Sequence, residues 1–218
     1  IVMLIASVLS GAINVSIPRL GYYLGKKDFT SYKNLVNQGA SLFYFLMVPT
    51  SIGIMVLGTY ATVIYSSEKY IEAGIVTSVF AFRTIIWAIE LILGKQIIFI
   101  NDHENRLTAY YIGTTIIDEA IVVLLEIRFI QKHKLLDLKE IFGTLARYTI
   151  VSLGFIPIYY ICKILFQVHS YTVNMAMLSM VVATIAGCAI YYAFALFIIK
   201  DKTLHYAIDL VRAKIKRS

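Results

Sequence analysis

The stretch 172–199, TVNMAMLSMVVATIAGCAIYYAFALFII, contains no Asp, Glu, Lys or Arg. About 20 predominantly apolar residues cross a hydrocarbon core of roughly 30 Å, so this stretch predicts a membrane-spanning helix. The segment 42–65 is equally free of charge, and Pro49 within it predicts a kink that neighbouring groups must accommodate. The segments 77–100, 108–130 and 146–166 are apolar but carry ionisable groups, and a further apolar run opens the chain at 1–17. Together they predict an all-α, polytopic transmembrane helix bundle over 1–199, with a basic amphipathic tail at 200–218. Composition points the same way: 59% hydrophobic and 15% charged residues with a mean hydropathy of +0.77 exceed what a soluble domain of this length could bury. The chain begins at Ile1 inside an apolar run, without the basic leader and cleavage site of a signal peptide. The expectation is a fragment whose upstream part is missing.

Charge predicts orientation. Arg19, Lys26, Lys27 and Lys33 lie in the first connection, an elbow at 18–38, Lys95 and Arg106 flank the third, and Lys200, Lys202, Arg212, Lys214, Lys216 and Arg217 crowd the tail. The positive-inside rule places them in the cytoplasm, with the loops 66–70 and 167–171, which hold one Lys between them, outside. The net charge of +7 therefore expresses topology and attraction to anionic membrane lipid, and no nucleic-acid partner is expected. One loop conflicts with helix counting. If 108–130 crosses once, Arg128, Lys132, Lys134 and Lys139 fall outside, although their charge belongs inside. Asp118, Glu119 and Glu126 also make that segment a poor span.

The order of several short motifs is similar to a known family. Ile17-Pro18-Arg19-Leu20 closes a helix, Gly25-Lys26-Lys27-Asp28-Phe29 forms an elbow, and an amphipathic stretch at 32–38 precedes Val48-Pro49 and Gly53. Leu93-Gly94-Lys95-Gln96-Ile97-Ile98 then ends a helix before a polar loop, and Leu138-Lys139-Glu140-Ile141 turns into another span. This order resembles the C-terminal lobe of the polysaccharide repeat-unit flippases, in the superfamily that includes multidrug and toxin extruders. The resemblance covers nearly the whole chain through degenerate motifs. It implies a transporter of undecaprenyl-pyrophosphate-linked oligosaccharide, working by alternating access in the bacterial cytoplasmic membrane during surface polysaccharide synthesis, with Na+ or H+ as a coupling ion. It also implies two spans between Gln96 and Leu138 where this chain has room for one, as though a hairpin were lost near 115–117. The alternatives are a fragment of a multidrug extruder, a membrane-embedded polymerase or glycosyltransferase, and an inactive remnant.

Arg83, Trp87 and Glu90 recur at helical spacing and share one face, with Glu72 further back. Charge inside a bilayer is costly, so this face is a candidate cavity lining, and the guanidinium fork of Arg83 suits pyrophosphate oxygens. An intramembrane ion pair of Arg83 with Glu90 is an equal reading. Asp118 and Glu119 are candidates for ion coupling, against the simpler reading of carboxylates at an aqueous helix start. Tyr44, Tyr60 and Tyr65 could stack on sugar rings or anchor helix ends at the interface.

Enzyme chemistry finds no motif. Cys162 and Cys188 stand alone in apolar runs, and His103, His133, His169 and His205 are scattered. Asp102-His103-Glu104 reads as a solvated turn and Asn14-Val15-Ser16 is only formally a glycosylation acceptor, so no catalytic residue, cofactor or metal is expected. Asp28 or Thr30 is expected to cap a short interfacial helix to Gln38. Leu204, Ile208, Val211 and Ile215 predict a second such helix in the tail. Ala183 and Gly187 form a small-xxx-small pair suited to close helix packing.

Overall fold

The structure, a computed structural model, describes residues 2–100 and 117–215. Among these every regular element is helical: α1 Val2–Gly25, α2 Phe29–Tyr65, a 3-10 turn Glu68–Tyr70, α3 Ile71–Leu91 running into a π-helical segment Ile92–Phe99, α4 Ile117–His133, α5 Lys139–Leu153, α6 Phe155–Leu165, α7 Met175–Ile198 and α8 Lys202–Ile215. Four helical stretches are long and apolar enough to cross a membrane: Phe29–Tyr65, Glu68–Ile98, Lys139–Leu165 and Met175–Ile198. The chain is an all-α, membrane-embedded protein.

Several boundaries differ from expectation. α1 does not stop at 17 but runs through Pro18 to Gly25, because a proline removes one helical donor without forbidding the turns that follow. The elbow therefore shrinks to the residues between Gly25 and Phe29. α2 is a single helix of 37 residues, so the expected separate helix ending at Gln38 is its first part. At 1.5 Å per residue α2 is about 55 Å long, well over the roughly 30 Å of a hydrocarbon core, which leaves its first turns free to stand outside it. The expected span 146–166 is broken into α5 and α6 at Gly154. Pro157 cannot donate to Leu153, and a Cβ at Gly154 would stand 2.4 Å from the Tyr191 ring, so the break and the close approach share one residue. Residues 108–116 of the expected span 108–130 lie outside the described residues, and the rest of it falls in α4.

Four helix ends are built alike. Lys27, Lys134, Gln167 and Lys200 take left-handed φ values of 58, 53, 51 and 55°. In each case the N–H of that residue and of its successor reach back to the last carbonyls: Lys27 to Leu24 and Asp28 to Tyr23, Lys134 to Gln131 and Leu135 to Ile130, Gln167 to Ile164 and Val168 to Lys163, Lys200 to Phe197 and Asp201 to Leu196. Glycine is the usual residue at this position. A lysine here strains the backbone but sets its charge against the negative end of the helix dipole, about 0.3–1 kcal/mol in return. In two corners the next residue is an aspartate that caps the following helix: Asp28 Oδ1 accepts from Ser31 N at 3.0 Å, and Asp201 Oδ1 from Thr203 N at 2.9 Å and Leu204 N at 3.1 Å. Asp28, not Thr30, makes that first cap.

The described residues form two compact units, one of residues 1–47 and 83–146, the other of residues 48–82 and 147–218. In the first, α1 and α4 pack on the π-helical segment, with Leu20, Ile92, Leu93, Ile97 and Ile130 wholly buried. In the second, Leu57, Tyr60, Val168, Met177 and Met180 form the core. α7 buries one stripe, Met177, Met180, Thr184, Cys188, Tyr192 and Leu196, and exposes Val182, Ile185, Ile190, Phe194 and Phe197. An apolar surface that wide belongs in lipid. Asn174 Oδ1 caps α7 by accepting from Met177 N at 2.8 Å, and Gly187 meets Ile158 of α6, the close packing expected of a small residue there.

Candidate functional site

In an apolar first unit, the polar groups gather where α3 becomes the π-helical segment. The wider turn of a π-helix shifts the side-chain register and recurs at functional sites. Here it carries Lys95 and Gln96. Gln96 is 1% exposed, and its Nε2 donates to Ser16 Oγ at 3.0 Å while its carbonyl accepts from the Tyr32 hydroxyl at 3.0 Å. A Cβ on Gly39 would sit 3.2 Å from that same Nε2, so the absence of a side chain there admits the amide. Lys95 Nζ donates to Asn14 Oδ1 at 3.4 Å. Asn14 and Ser16 thus serve the fold from inside α1, and the formal glycosylation triplet is a helical surface used for packing. Gln96 Oε1 is left buried without a hydrogen-bond partner.

One helix away sits a second polar group. Glu126 on α4 is 0% exposed, and neither of its carboxylate oxygens has a hydrogen-bond partner. Glu90 of α3 is 6% exposed and lies within electrostatic reach of it. Two acids brought together in an apolar setting cannot both keep their charge at low cost, so the pair is suited to hold a proton or a cation.

The expected site residues divide. Trp87 is half-buried with its ring centroid 6.5 Å from that of Phe43, Arg83 is half-buried four residues earlier, and Glu72 is exposed near the start of α3. The helix α3 therefore keeps Arg83, Trp87 and Glu90 on one face, with Glu90 within electrostatic reach of Glu126. Asp118 and Glu119 occupy the beginning of α4 as described, and their side chains lie outside the described residues, as does Asp102-His103-Glu104. Tyr60 is a core residue with Tyr171 and Tyr159 rings at 4.9 and 6.1 Å, Tyr44 is buried, and Tyr65 is exposed at a helix end. Glu126 and Gln96 had no role in the sequence reading beyond making a span poor and filling a motif. A lone acid inside the apolar run 121–130 was the available signal.

Helix class, burial pattern and four candidate spans together define a multi-pass α-helical membrane protein. Compared with known protein families, curated proteins and solved structures, the chain matches none of them.

Proposed function

We propose that this chain is part of a transporter for undecaprenyl-pyrophosphate-linked oligosaccharide in the bacterial cytoplasmic membrane, corresponding to the C-terminal lobe of a flippase. The observation that carries the reading is a set of buried polar groups beside a π-helical segment: Glu90 and Gln96 on the candidate span Glu68–Ile98, and Glu126 on α4, which packs against that segment. Ionisable groups kept within a bilayer mark substrate or ion paths, because packing alone is served more cheaply by apolar residues. The motif order through Pro18, Pro49 and Gln96 supplies the substrate class. Arg83 is the phosphate-contacting residue and the Glu90–Glu126 pair the seat of H+ or Na+ coupling.

A topology with four crossings supports this reading. If α4 does not cross, Lys26, Lys134, Lys139 and Lys200 all face the cytoplasm and the loops at 66–67 and 167–174 face outward, which removes the charge conflict. Two contacts agree with it: Asn37 Nδ2 bonds Glu140 Oε2, pairing the starts of α2 and α5, and Val173 N bonds Glu68 Oε1 at 3.3 Å, pairing the two outer loops.

The test is binding of a lipid-linked oligosaccharide to the purified chain, with Arg83→Ala as control. Affinity should fall about tenfold with the variant, the 1.4 kcal/mol scale of one lost charge-assisted contact. Equal binding by both chains would refute the role of Arg83, and a preference for cationic drugs over the lipid-linked sugar would favour an extruder. Reporter cysteines at Ser67, Lys134 and Ser170 in intact cells test the topology, since only Ser67 and Ser170 should be labelled from outside.

A further inference from the structure

Where α2 begins, α4 ends and α5 begins, the first unit forms an open cavity of about 630 Å³. That volume falls within the roughly 300–1,000 Å³ of small-molecule sites. Three lysines from three segments line it: Lys33 one turn into α2, Lys134 at the left-handed residue closing α4, and Lys139 opening α5. All three are exposed. The wall between them is apolar, with Leu136 and Leu138 buried and Phe142 half-buried.

Each of the acids nearby accepts a hydrogen bond from the protein itself. Asp137, which also lines the cavity, turns Oδ1 to the backbone N–H of Lys139 at 3.0 Å as the cap of α5. Glu140 accepts from the Asn37 amide. Three ammonium groups against the two carboxylates of Asp137 and Glu140 leave the paired cavities with a net positive charge.

A second cavity of about 230 Å³ adjoins the first and shares Lys33, Leu136 and Asp137 with it. Its lining adds Thr30, Asn34, Asn37 and Glu140. Asn37 Oδ1 is buried and has no hydrogen-bond partner, although the amide nitrogen of the same group is bonded. Asn37 lines the cavity, so a small movement of its amide would offer that acceptor to a ligand hydroxyl.

From this geometry we infer that the paired cavities bind the headgroup of an anionic phospholipid, its phosphodiester among Lys33, Lys134 and Lys139 and a headgroup hydroxyl on Asn37. Phosphatidylglycerol has this chemistry. A membrane lipid is favoured over a soluble phosphate ester for two reasons. The cavity lies at the ends of two candidate spans, Phe29–Tyr65 and Lys139–Leu165, where lipid headgroups are concentrated. Its apolar wall also suits the glycerol and upper acyl carbons that a free phosphate lacks. The site is separate from the polar groups around Glu90 and Gln96, and it does not depend on the transport reading.

The test is thermal unfolding of the full chain in neutral detergent with added phosphatidylglycerol, phosphatidylcholine or glycerol phosphate. Phosphatidylglycerol should raise Tm by about 3 °C or more, and the other two should not. The combined variant Lys33→Gln, Lys134→Gly, Lys139→Gln should lose that shift. It should keep its Tm without lipid, since two of the changes are at exposed positions and glycine suits the left-handed Lys134. Phosphatidylmethanol, with the same charge and no headgroup hydroxyl, should give a smaller shift. A shift retained by the triple variant, or equalled by phosphatidylcholine, would overturn the site. An equal shift from glycerol phosphate would overturn the lipid assignment, and an equal shift from phosphatidylmethanol would overturn the role of Asn37.

Discussion

Replacing Asp201 by alanine should detach the start of α8 from α5, and the structure allows the loss to be apportioned. Asp201 is 2% exposed and accepts four groups at once: Thr203 N and Leu204 N at the start of α8, the Tyr148 hydroxyl at 3.1 Å and Arg147 Nη1 at 3.0 Å. Removing the cap costs about 1 kcal/mol. Tyr148 is 0% exposed, and losing its hydrogen bond to a charged acceptor costs about 1.5–3 kcal/mol. The Arg147 side chain is 45% exposed, so water screens the ion pair and its share is about 0–1 kcal/mol. Asp201→Ala should therefore destabilise the chain by about 3 kcal/mol, a fall in Tm of about 6–12 °C at this length. Asp201→Asn keeps a capping oxygen and a partner for Tyr148, and should lose about 1 kcal/mol. Thermal unfolding in detergent, with limited proteolysis beyond Lys200, reads both variants. Equal losses from Asn and Ala would show that charge rather than the cap holds the corner, and a fall below about 2 °C for Ala would refute the reasoning.

Other expectations follow from single groups. Glu126→Leu removes a fully buried carboxylate with two unpartnered oxygens and should stabilise the chain by about 1–3 kcal/mol while abolishing any ion-dependent activity; a loss of stability in denaturant melts would mean that the carboxylate has a structural partner. Gly154→Ala drives a methyl to 2.4 Å from Tyr191 and should cost about 1–3 kcal/mol, with recovery when Tyr191→Ala is added, a coupling measurable as a double-mutant cycle. The Asp28 carboxyl is held below its ordinary 3.8 by hydrogen bonds from the Ser31 side chain and backbone. Its contribution to the first turn of α2 is thus complete above that value and is lost as pH falls through the lower folded value. Amide exchange at Ser31 should speed up in acid, and Asp28→Asn should flatten that dependence.

The helices were legible because lipid-facing and core-facing residues are both apolar here, so long uncharged runs such as 42–65 and 172–199 mark spans whatever they touch. For the same reason the runs hid helix breaks and joins. Nothing in the composition of 92–99 distinguishes a π-helix from an α-helix, and its wider turn goes with contacts to Ser16 and Tyr32, some 64 or more residues away. The close approach of Gly39 in α2 to the Gln96 amide is another long-range relation. Lysine at three left-handed helix ends defeats the rule that glycine announces a stop. The face shared by Arg83, Trp87 and Glu90 followed from spacing, but that Glu126 comes within electrostatic reach of Glu90 required the packing of α4 on the π-helical segment.

The corner at Lys200 and Asp201 makes α8 a lever. With no flexible linker between α7 and α8, and with Asp201 clamped to Arg147 and Tyr148, a tilt of α7 has no slack to absorb it. α8 has 14 residues and is about 21 Å long, so a rotation of about 10° at the corner sweeps its far end through about 4 Å. A probe placed near the end of α8 would therefore magnify small movements within the second unit into displacements large enough to follow by distance-sensitive spectroscopy.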